Sequence, residues 1–262
     1  MTKANTSNGS DALAGKVAMV TGSTKGLGRA IISGLAAAGA AVVVTSRKQE
    51  LCEKVAAEVR AETGATVIAR ACNVGDWDES ATFVDYVVGE LGGIDILVNN
   101  AGIMPRRQEV ADIEKSYWRK VLSVNLEGPL RMSQLVAPVM RNGGGGSIIN
   151  LSSIAAYHAA APGLAAYSVS KAAVLALTRN MASEWADWGI RVNAISPGPM
   201  RSNLGDASEL AEPGYYKRSG SATLMGRVGE TEEIVGPVLY FAGHASSYVT
   251  GEDHIVGGGS FR

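Results

Sequence analysis

Two kinds of segment alternate along the chain. Short runs rich in Val, Ile and Leu have the length of buried strands, and most are followed by a longer stretch with the apolar spacing of an amphipathic helix. The strand-like runs lie at 16–22, 41–46, 66–72, 94–100, 147–152, 190–196 and 253–259. The helical stretches lie at 28–40, 49–64, 78–92, about 112–140, 166–189 and near 230–242.

Alternating strands and helices, with strands apolar throughout, are typical of a parallel sheet covered by helices on both faces. The pattern therefore predicts an α/β protein with a doubly wound, mostly parallel, seven-stranded sheet. The composition does not change along residues 13–262, so we assign them to one domain. Residues 1–12 are small and polar and are expected to form a flexible tail. The irregular stretch at about 199–226 is long enough to be a substrate-binding loop.

Composition and charge narrow the function classes. The 262 residues are 46% hydrophobic and carry a net charge of -1, so no basic field attracts nucleic acid or acidic lipid. No apolar run approaches the roughly 18 residues of a membrane span. Cys52 and Cys72 match no metal-ligand spacing, and no metal site is predicted. The N-terminus lacks the apolar segment of a signal peptide, so a cytoplasmic location is expected.

A glycine-rich turn follows the first strand and opens the first helix. In "VTGSTKGLGRA", Gly22, Gly26 and Gly28 form the pattern T-G-x-x-x-G-x-G. Glycines permit a tight turn and let the backbone approach a pyrophosphate, which then meets free N–H groups at the helix N-terminus. A turn that only connects a strand to a helix could have the same sequence. The position of this turn in a chain of repeating β/α units favours nucleotide binding.

Several short motifs, taken in order, resemble the short-chain dehydrogenase/reductase family over nearly the whole chain. They are "TGSTKGLG", "NNAG" at 99–102, Asn125 in "SVNLEG", Ser153 in "INLSSIA", the pair Tyr167 and Lys171 in "YSVSK", and "SPGPMRS" at 196–202. The resemblance implies a single-domain Rossmann fold and an oxidoreductase that interconverts a ketone or aldehyde with an alcohol. It also implies a small-molecule carbonyl or alcohol substrate and a homotetramer.

The resemblance assigns four catalytic residues: Asn125, Ser153, Tyr167 and Lys171. Hydride transfer to a carbonyl builds negative charge on its oxygen, and Tyr167 would protonate that oxygen. Because a free tyrosine has a pKa of about 10, a nearby cation is expected to lower it, and Lys171 lies one helical turn away. Ser153 would hydrogen-bond the substrate oxygen. Asn125 would hold a helix kink and a water that links Lys171 to solvent.

The charge after the second strand predicts which nicotinamide cofactor is used. A carboxylate there would bond the ribose 2′-OH and repel a 2′-phosphate, but this chain has "TSRK", with Lys25 in the glycine loop. NADP(H) is therefore expected over NAD(H). The expected cofactor contacts are Gly22, Ser23, Thr24, Lys25, Gly26, Leu27, Gly28, Ser46, Arg47, Asn73, Val74, Asn100, Ala101, Gly102, Tyr167, Lys171, Pro197, Gly198 and Ser202.

Other functions remain as alternatives. An NAD(H)-preferring alcohol dehydrogenase of the same family differs only in cofactor. A catalytically silent nucleotide-sensing regulator could dispense with Ser153, Tyr167 or Lys171, and all three are present. A lyase or epimerase on an extended scaffold generally has another glycine spacing. A reductase that serves an acidic carrier protein ranks lower, because "NGGGG" at 142–146 and Trp188 supply no bases at the expected pocket mouth.

Overall fold

The fold is a single sheet with helices on both faces. The computed structural model describes residues 12–104, 106–158, 162–201 and 214–260. Seven strands pair in the order β3-β2-β1-β4-β5-β6-β7, and every neighbouring pair is parallel. The sheet predicted as mostly parallel is thus parallel throughout the described residues. The strands are β1 Val17–Val20, β2 Ala41–Val44, β3 Val67–Ala69, β4 Ile96–Asn99, β5 Gly146–Leu151, β6 Ile190–Pro197 and β7 Asp253–Val256.

Helices connect the strands. In the described residues, the α-helices are α1 Gly26–Ala37, α2 Gln49–Thr63, α3 Trp77–Leu91, α4 Lys115–Leu122, α5 Gly128–Asn142, α6 Ala165–Trp185, α7 Tyr215–Ser221 and α8 Val235–Ala242. A π-helical segment at Ser123–Glu127 joins α4 to α5. Short 3-10 turns lie at Val110–Asp112, Ile154–Ala156, Ala186–Trp188, Thr231–Ile234 and His244–Ser246.

Two apolar cores lie on opposite faces of the sheet. Along β2, Val42 and Val44 pack in one core with side chains of α1, α2 and α8, whereas Val43 packs in the other with side chains of α3 and α5. This alternation follows from the two-residue period of a strand, which points successive side chains to opposite faces. Because both faces are covered, the strands can be apolar at nearly every position, as the sequence pattern predicted.

The strand order reverses direction next to β1, which has β2 on one side and β4 on the other. In open parallel sheets, ligands bind at such a switch point, beyond the carboxyl ends of the strands. The glycine loop after β1 and the NNAG segment after β4 both lie there. The fold thus places the two strongest cofactor motifs side by side.

Two sequence predictions are corrected by the structure. The stretch at about 199–226 is not irregular throughout, since Tyr215–Ser221 form α7; residues 202–213 lie outside the described part of the chain. The helix predicted at about 112–140 is divided into α4, the π-helical segment and α5. The predicted tail also falls outside the described residues, apart from Ala12. Within the described ranges, no helix has both the length and the apolarity needed to cross a membrane.

Candidate active site

The glycine loop is held in a tight conformation at the start of α1. Gly22 and Gly26 have φ angles of 67° and 55°, in the left-handed region that favours glycine. A Cβ atom at Gly28 would lie 2.4 Å from the carbonyl oxygen of Gly22 and 2.5 Å from Nδ2 of Asn100. Because glycine has no Cβ atom, Gly28 allows the loop to pass this close to the helix that it opens.

The N-terminus of α1 suits an anionic group. No side chain caps the helix, and its first turn contains no acidic residue. Its first backbone N–H groups therefore carry the partial positive charge of a helix end. Thr24 and Leu27 are half-buried beside this turn, and Lys25 is exposed. The Ser23 side chain points elsewhere: it is buried, and its hydroxyl accepts a 2.9 Å hydrogen bond from the backbone N–H of Thr45.

The NNAG segment is bonded directly to the glycine loop. The Thr21 hydroxyl accepts hydrogen bonds of 3.0 Å from the backbone N–H groups of Asn100 and Ala101. The side-chain amide of Asn100 donates to the carbonyl oxygens of Thr21 and Gly22 at 2.8 and 3.2 Å. Thr21, which was not among the predicted contacts, therefore fixes the two motifs to each other; its place as the T of the T-G motif was the available signal.

The end of β2 presents two exposed bases. Arg47 and Lys48 are exposed, and Arg47 and Lys25 have no ion-pair partner among the residues that the structure describes. The Ser46 hydroxyl lies 3.3 Å from Sγ of Cys52, and the Ser46 backbone N–H donates to the same sulfur at 3.1 Å. This edge therefore has the positive charge that a phosphate needs, and neither Arg47 nor Lys25 is held in an ion pair within the described residues.

The remaining predicted cofactor contacts line the same edge of the sheet. Asn73 is half-buried after β3 and donates its backbone N–H to the Glu79 carboxylate at 2.9 Å, and Val74 is buried against Gly128. Pro197 ends β6. A Cβ atom at Gly198 would lie 2.7 Å from the Cα of Gly257, so the P-G segment packs tightly on the turn after β7. Ser202 lies outside the described residues.

The side chains of Ser153 and Tyr167 lie close to each other. Ser153 follows the end of β5 and begins a 3-10 turn, where its oxygen accepts a 3.2 Å hydrogen bond from the backbone N–H of Ala155. Tyr167 lies on the first turn of α6, and the Ser153 side chain is close enough to its phenol to lower the phenol's pKa. Two hydroxyl groups from different elements therefore converge at one point, where a substrate oxygen could bond to both.

Lys171 lies one turn after Tyr167 and is buried. Its amino group donates a 2.7 Å hydrogen bond to the carbonyl oxygen of Leu151 and lies 5.8 Å from the centre of the Tyr167 ring. The Ser152 hydroxyl in turn donates to the Lys171 carbonyl oxygen at 2.9 Å. The end of β5 thus holds both the backbone and the side chain of Lys171. Burial lowers the pKa of Lys171 from its ordinary 10.5 to about 8.

Asn125 connects the NNAG segment to the helix that carries Tyr167. It is fully buried in the π-helical segment, where the backbone departs from a regular α-helix. Its Oδ1 accepts from the Ile103 N–H at 2.8 Å, and its Nδ2 donates to the Ile103 carbonyl at 2.9 Å and to the Ser170 hydroxyl at 3.2 Å. The Ser170 hydroxyl donates to the carbonyl oxygen of Tyr167 at 2.6 Å.

The direction of the Tyr167 pKa shift corrects a sequence prediction. We expected Lys171 to lower this pKa, but burial raises it, and burial is the largest influence on the phenol. The hydrogen bond from Ser153 lowers the pKa, and the nearby Tyr215 raises it. With both groups buried, the loss of hydration outweighs a cation about one turn away. Tyr167 is therefore a neutral phenol at neutral pH and can donate a proton.

The described residues fit a nicotinamide dinucleotide at this edge. The glycine loop and the α1 N-terminus offer backbone N–H groups for a pyrophosphate, and Lys25 and Arg47 offer charge for a 2′-phosphate. A Cβ atom at Gly102 would lie 3.5 Å from the Lys171 amino group and 3.6 Å from Oδ1 of Asn125. Gly102 therefore lies directly beside Lys171 and Asn125, where the cofactor edge meets these two side chains.

One weaker sequence inference changes with the structure. The segment 142–146 and Trp188 lie at the amino ends of β5 and β6, on the edge opposite the site, so their lack of bases says nothing about the pocket mouth. Arg106 and Arg107 are exposed, and Arg106 pairs with Glu114 at 3.0 Å. Their segment borders the site, because the Gln108 backbone N–H donates to the Gly163 carbonyl at 3.0 Å, shortly before α6.

Comparisons with known proteins agree with this geometry. A family model described as enoyl-(acyl carrier protein) reductase matches residues 22–260. The chain is 40% identical over 250 residues to dehydrogenase/reductase SDR family member 4 of Sus scrofa, covering 95% of this chain and 88% of that protein.

Solved structures give the same result. A gluconate 5-dehydrogenase from Burkholderia cenocepacia, in complex with NADP and tartrate, is 34% identical with a TM-score of 0.90, covering 96% of this chain and 97% of that one. A short-chain type dehydrogenase/reductase from Mycobacterium marinum is 36% identical with a TM-score of 0.90 and the same coverage. With its fully parallel sheet, its glycine loop and these relatives, the chain belongs to the short-chain dehydrogenase/reductase family of oxidoreductases.

Proposed function

We propose that this protein is an NADP(H)-dependent oxidoreductase that interconverts a ketone or aldehyde with an alcohol, with Tyr167 as the general acid and base. One observation carries the proposal: the side chain of Ser153 lies close enough to the phenol of Tyr167 to lower its pKa, and the amino group of Lys171 lies 5.8 Å from the centre of the same ring. Groups that can bind, polarise and protonate a carbonyl oxygen thus converge at one point.

The bound cofactor would supply or accept the hydride, and the protein would supply position and the proton. In the reductive direction, the Ser153 and Tyr167 hydroxyls hold the substrate oxygen. As negative charge develops there, the phenolic proton of Tyr167 moves to it and Ser153 keeps its hydrogen bond. Because burial raises the Tyr167 pKa, the proton is in place at neutral pH, which favours reduction as the working direction.

Lys171 stabilises the phenolate that this step leaves behind. Its amino group is largely protonated at neutral pH, since its pKa is about 8, and it lies on the ring face of Tyr167. Asn125 acts through position: its side chain ties Ile103, after NNAG, to Ser170, whose hydroxyl is bonded to the Tyr167 backbone. Asn125 therefore fixes the position of the cofactor-binding edge relative to Tyr167.

The preference for NADP(H) over NAD(H) rests on charge. Lys25 and Arg47 are exposed at the carboxyl edge of β1 and β2 with no carboxylate partner in the described residues. The 2′-phosphate that distinguishes the two cofactors would meet both bases. The Burkholderia cenocepacia relative in complex with NADP supports the same choice.

Two alternatives are separated by one experiment. The nucleotide-sensing regulator would bind NADPH without consuming it, and the description of the matching family model suggests reduction of an acyl thioester with a carbon–carbon double bond. NADPH oxidation, followed at 340 nm with a panel of ketones, aldehydes and crotonyl-CoA, tests all three. We expect turnover with carbonyl compounds. Binding without turnover on any carbonyl, or turnover on crotonyl-CoA alone, would contradict the proposal.

A further inference from the structure

The turn that begins at Ser153 is joined to the last strand of the sheet by a tyrosine. Tyr157 directly follows the 3-10 turn Ile154–Ala156, and its hydroxyl donates a hydrogen bond to Oδ2 of Asp253, the first residue of β7. The two residues are 96 positions apart in the sequence, and their contact could not be expected from any motif. Because β6 lies between β5 and β7, the segment after β5 reaches across β6 to make this bond.

The Asp253 carboxylate is itself held on the sheet. The hydroxyl of Ser196, a buried residue of β6, lies 2.9 and 2.8 Å from the two carboxylate oxygens. The backbone of Asp253 is in register with Ala194 of the same strand. A hydrogen bond to a carboxylate is charge-assisted and roughly twice as strong as one between neutral groups. Asp253 is therefore a fixed and strong acceptor for the Tyr157 hydroxyl.

The hydroxyl contact matters because the Tyr157 ring is only partly covered. The residue is 42% exposed, so burial of its ring contributes less to its position than in a core tyrosine. Burial of the phenol group and its hydrogen bond to Asp253 raise the pKa of Tyr157 to about 12, so the hydroxyl keeps its proton and remains a donor at neutral pH. Phenylalanine at this position would keep the ring and lose the bond to β7.

The 3-10 turn connects this bond to Ser153. Two backbone hydrogen bonds of 3.0 Å close the turn, from the Ala156 N–H to the Ser153 carbonyl and from the Tyr157 N–H to the Ile154 carbonyl. The Ser153 hydroxyl accepts its 3.2 Å hydrogen bond from the Ala155 N–H within the same turn. A displacement at the end of the turn would therefore move the Ser153 hydroxyl.

The residue before Ser153 is held by the same part of the sheet. The Ser152 backbone N–H donates to the Ile195 carbonyl at 2.8 Å, and the Ser152 hydroxyl donates to the Lys171 carbonyl at 2.9 Å. Ile195 directly precedes Ser196 in β6. The contacts on the two sides of Ser153 thus lead to neighbouring residues of one strand, and the bond from Tyr157 supplies the second side.

We propose that Tyr157 is a positioning residue for Ser153: its bond to Asp253 holds the turn that sets the Ser153 hydroxyl against the substrate oxygen. The inference deepens the proposed function and rests on it. A hydrogen-bond donor stabilises developing charge most when its position is fixed before the reaction. Loss of the Tyr157 hydroxyl would loosen the turn, so it should lower kcat more than it raises the KM for the carbonyl substrate.

The first test compares Tyr157→Phe with the unsubstituted protein in carbonyl reduction with NADPH. We expect kcat to fall about threefold to tenfold, which is less than the roughly 10²–10³-fold cost of removing such a donor outright. NADPH affinity, measured by fluorescence titration, should be unchanged, which also shows that the variant is folded. Tyr248→Phe is the matched control, because Tyr248 is fully exposed, and its kcat should equal that of the unsubstituted protein.

A double-substitution cycle with Ser153→Ala separates positioning from a general loosening of the fold. If Tyr157 acts through Ser153, Tyr157→Phe should have no further effect on kcat once the Ser153 hydroxyl is absent. A merely structural role would lower kcat by the same factor with and without that hydroxyl, and this result overturns the inference. An unchanged kcat in Tyr157→Phe alone overturns it as well.

Substitutions at Asp253 test the same contact in a protein that keeps Ser153. Asp253→Asn retains an oxygen that can accept from the Tyr157 hydroxyl, whereas Asp253→Ala does not. We expect Asp253→Ala to lose as much kcat as Tyr157→Phe and Asp253→Asn to recover most of that loss. Equal losses in the two Asp253 variants contradict the role of the bond.

These outcomes are distinct from a failure of the proposed function. If the unsubstituted protein reduces no carbonyl compound, the proposed function fails and this inference fails with it. Normal turnover that Tyr157→Phe leaves unchanged overturns this inference alone.

Discussion

The amino group of Lys171 donates its 2.7 Å hydrogen bond to the carbonyl oxygen of Leu151, at the end of the strand that leads to Ser153. The contact places a cation inside the protein, where burial lowers its pKa to about 8. Lys171 is therefore held in place by β5 as well as by its own helix. Because burial lowers this pKa, the free energy of unfolding depends on pH, and this dependence can be measured.

Between pH 8 and 10.5, this lysine is protonated in the unfolded chain and largely neutral in the folded one. The unfolded state then binds more protons, so the contribution of Lys171 to the free energy of unfolding rises with pH across this window. From pH 7 to pH 10 we expect the protein to gain about 2–3 kcal/mol relative to Lys171→Met. Denaturant unfolding of both proteins at several pH values measures the difference. Parallel profiles would show that the folded pKa of Lys171 is not depressed.

Gly28→Ala should disrupt the cofactor loop. The added Cβ would lie 2.4 Å from the Gly22 carbonyl oxygen, so the loop must move away from α1. We expect NADPH affinity, measured by fluorescence titration, to fall at least roughly tenfold, the equivalent of about 1.4 kcal/mol.

Gly89→Ala is the matched control for that substitution. Gly89 lies in α3, is exposed, and a Cβ there would meet nothing within 4 Å. We expect unchanged NADPH affinity and a gain in stability of about 0.5–1 kcal/mol from helix propensity. Equal NADPH affinity in both variants would mean that the close approach at Gly28 does not shape the cofactor site.

Arg47→Ala should distinguish the two nicotinamide cofactors. A charge-assisted hydrogen bond to a 2′-phosphate contributes about 1.5–3 kcal/mol before solvent screening. We expect the KM for NADPH to rise at least roughly tenfold and the KM for NADH to stay almost unchanged. Lys54→Ala, which removes an exposed base elsewhere on α2, should change neither. Ser46→Asp should shift the preference towards NADH, and a higher kcat/KM with NADH in the unsubstituted protein would contradict the charge argument.

The oligomeric state is a prediction from the family resemblance. On the helices α4, α5 and α6, the large exposed apolar side chain is Val169. Tyr240 on α8 and Ile255 on β7 are also exposed apolar side chains. Light scattering at micromolar concentration should give four times the 27.1 kDa of one chain. A monomer mass would refute the tetramer.

The strands and the glycine loop could be predicted because their signals are local. A buried parallel strand is apolar at nearly every position, and the run predicted at 41–46 contains β2 at Ala41–Val44. The tight turn requires glycine at positions 22, 26 and 28 for steric reasons, and the spacing of these glycines in the sequence alone suggests such a turn. The order of the motifs along the chain also places them at one sheet edge, because parallel strands end on the same side.

Other features depend on contacts between distant residues. Helix α7 contains Gly220 and two serines, which favour helix poorly, and it is held by contacts with Arg227. The π-helical segment forms around Asn125, whose side chain is bonded to Ile103 and Ser170. The pKa of Tyr167 is set by burial, which a motif does not reveal. The sequence thus indicates candidate residues for the site, but it does not give the balance of effects on them.

Tyr167→Phe tests the central claim most directly, because it removes the proton donor and keeps the ring on which Lys171 packs. A general acid contributes about 10²–10⁴-fold to the rate. We predict that kcat for carbonyl reduction with NADPH falls by at least about a hundredfold, while NADPH affinity, measured by fluorescence titration, stays within about twofold. Retention of more than about a tenth of the unsubstituted kcat with intact NADPH binding would contradict the assignment of Tyr167 as the acid.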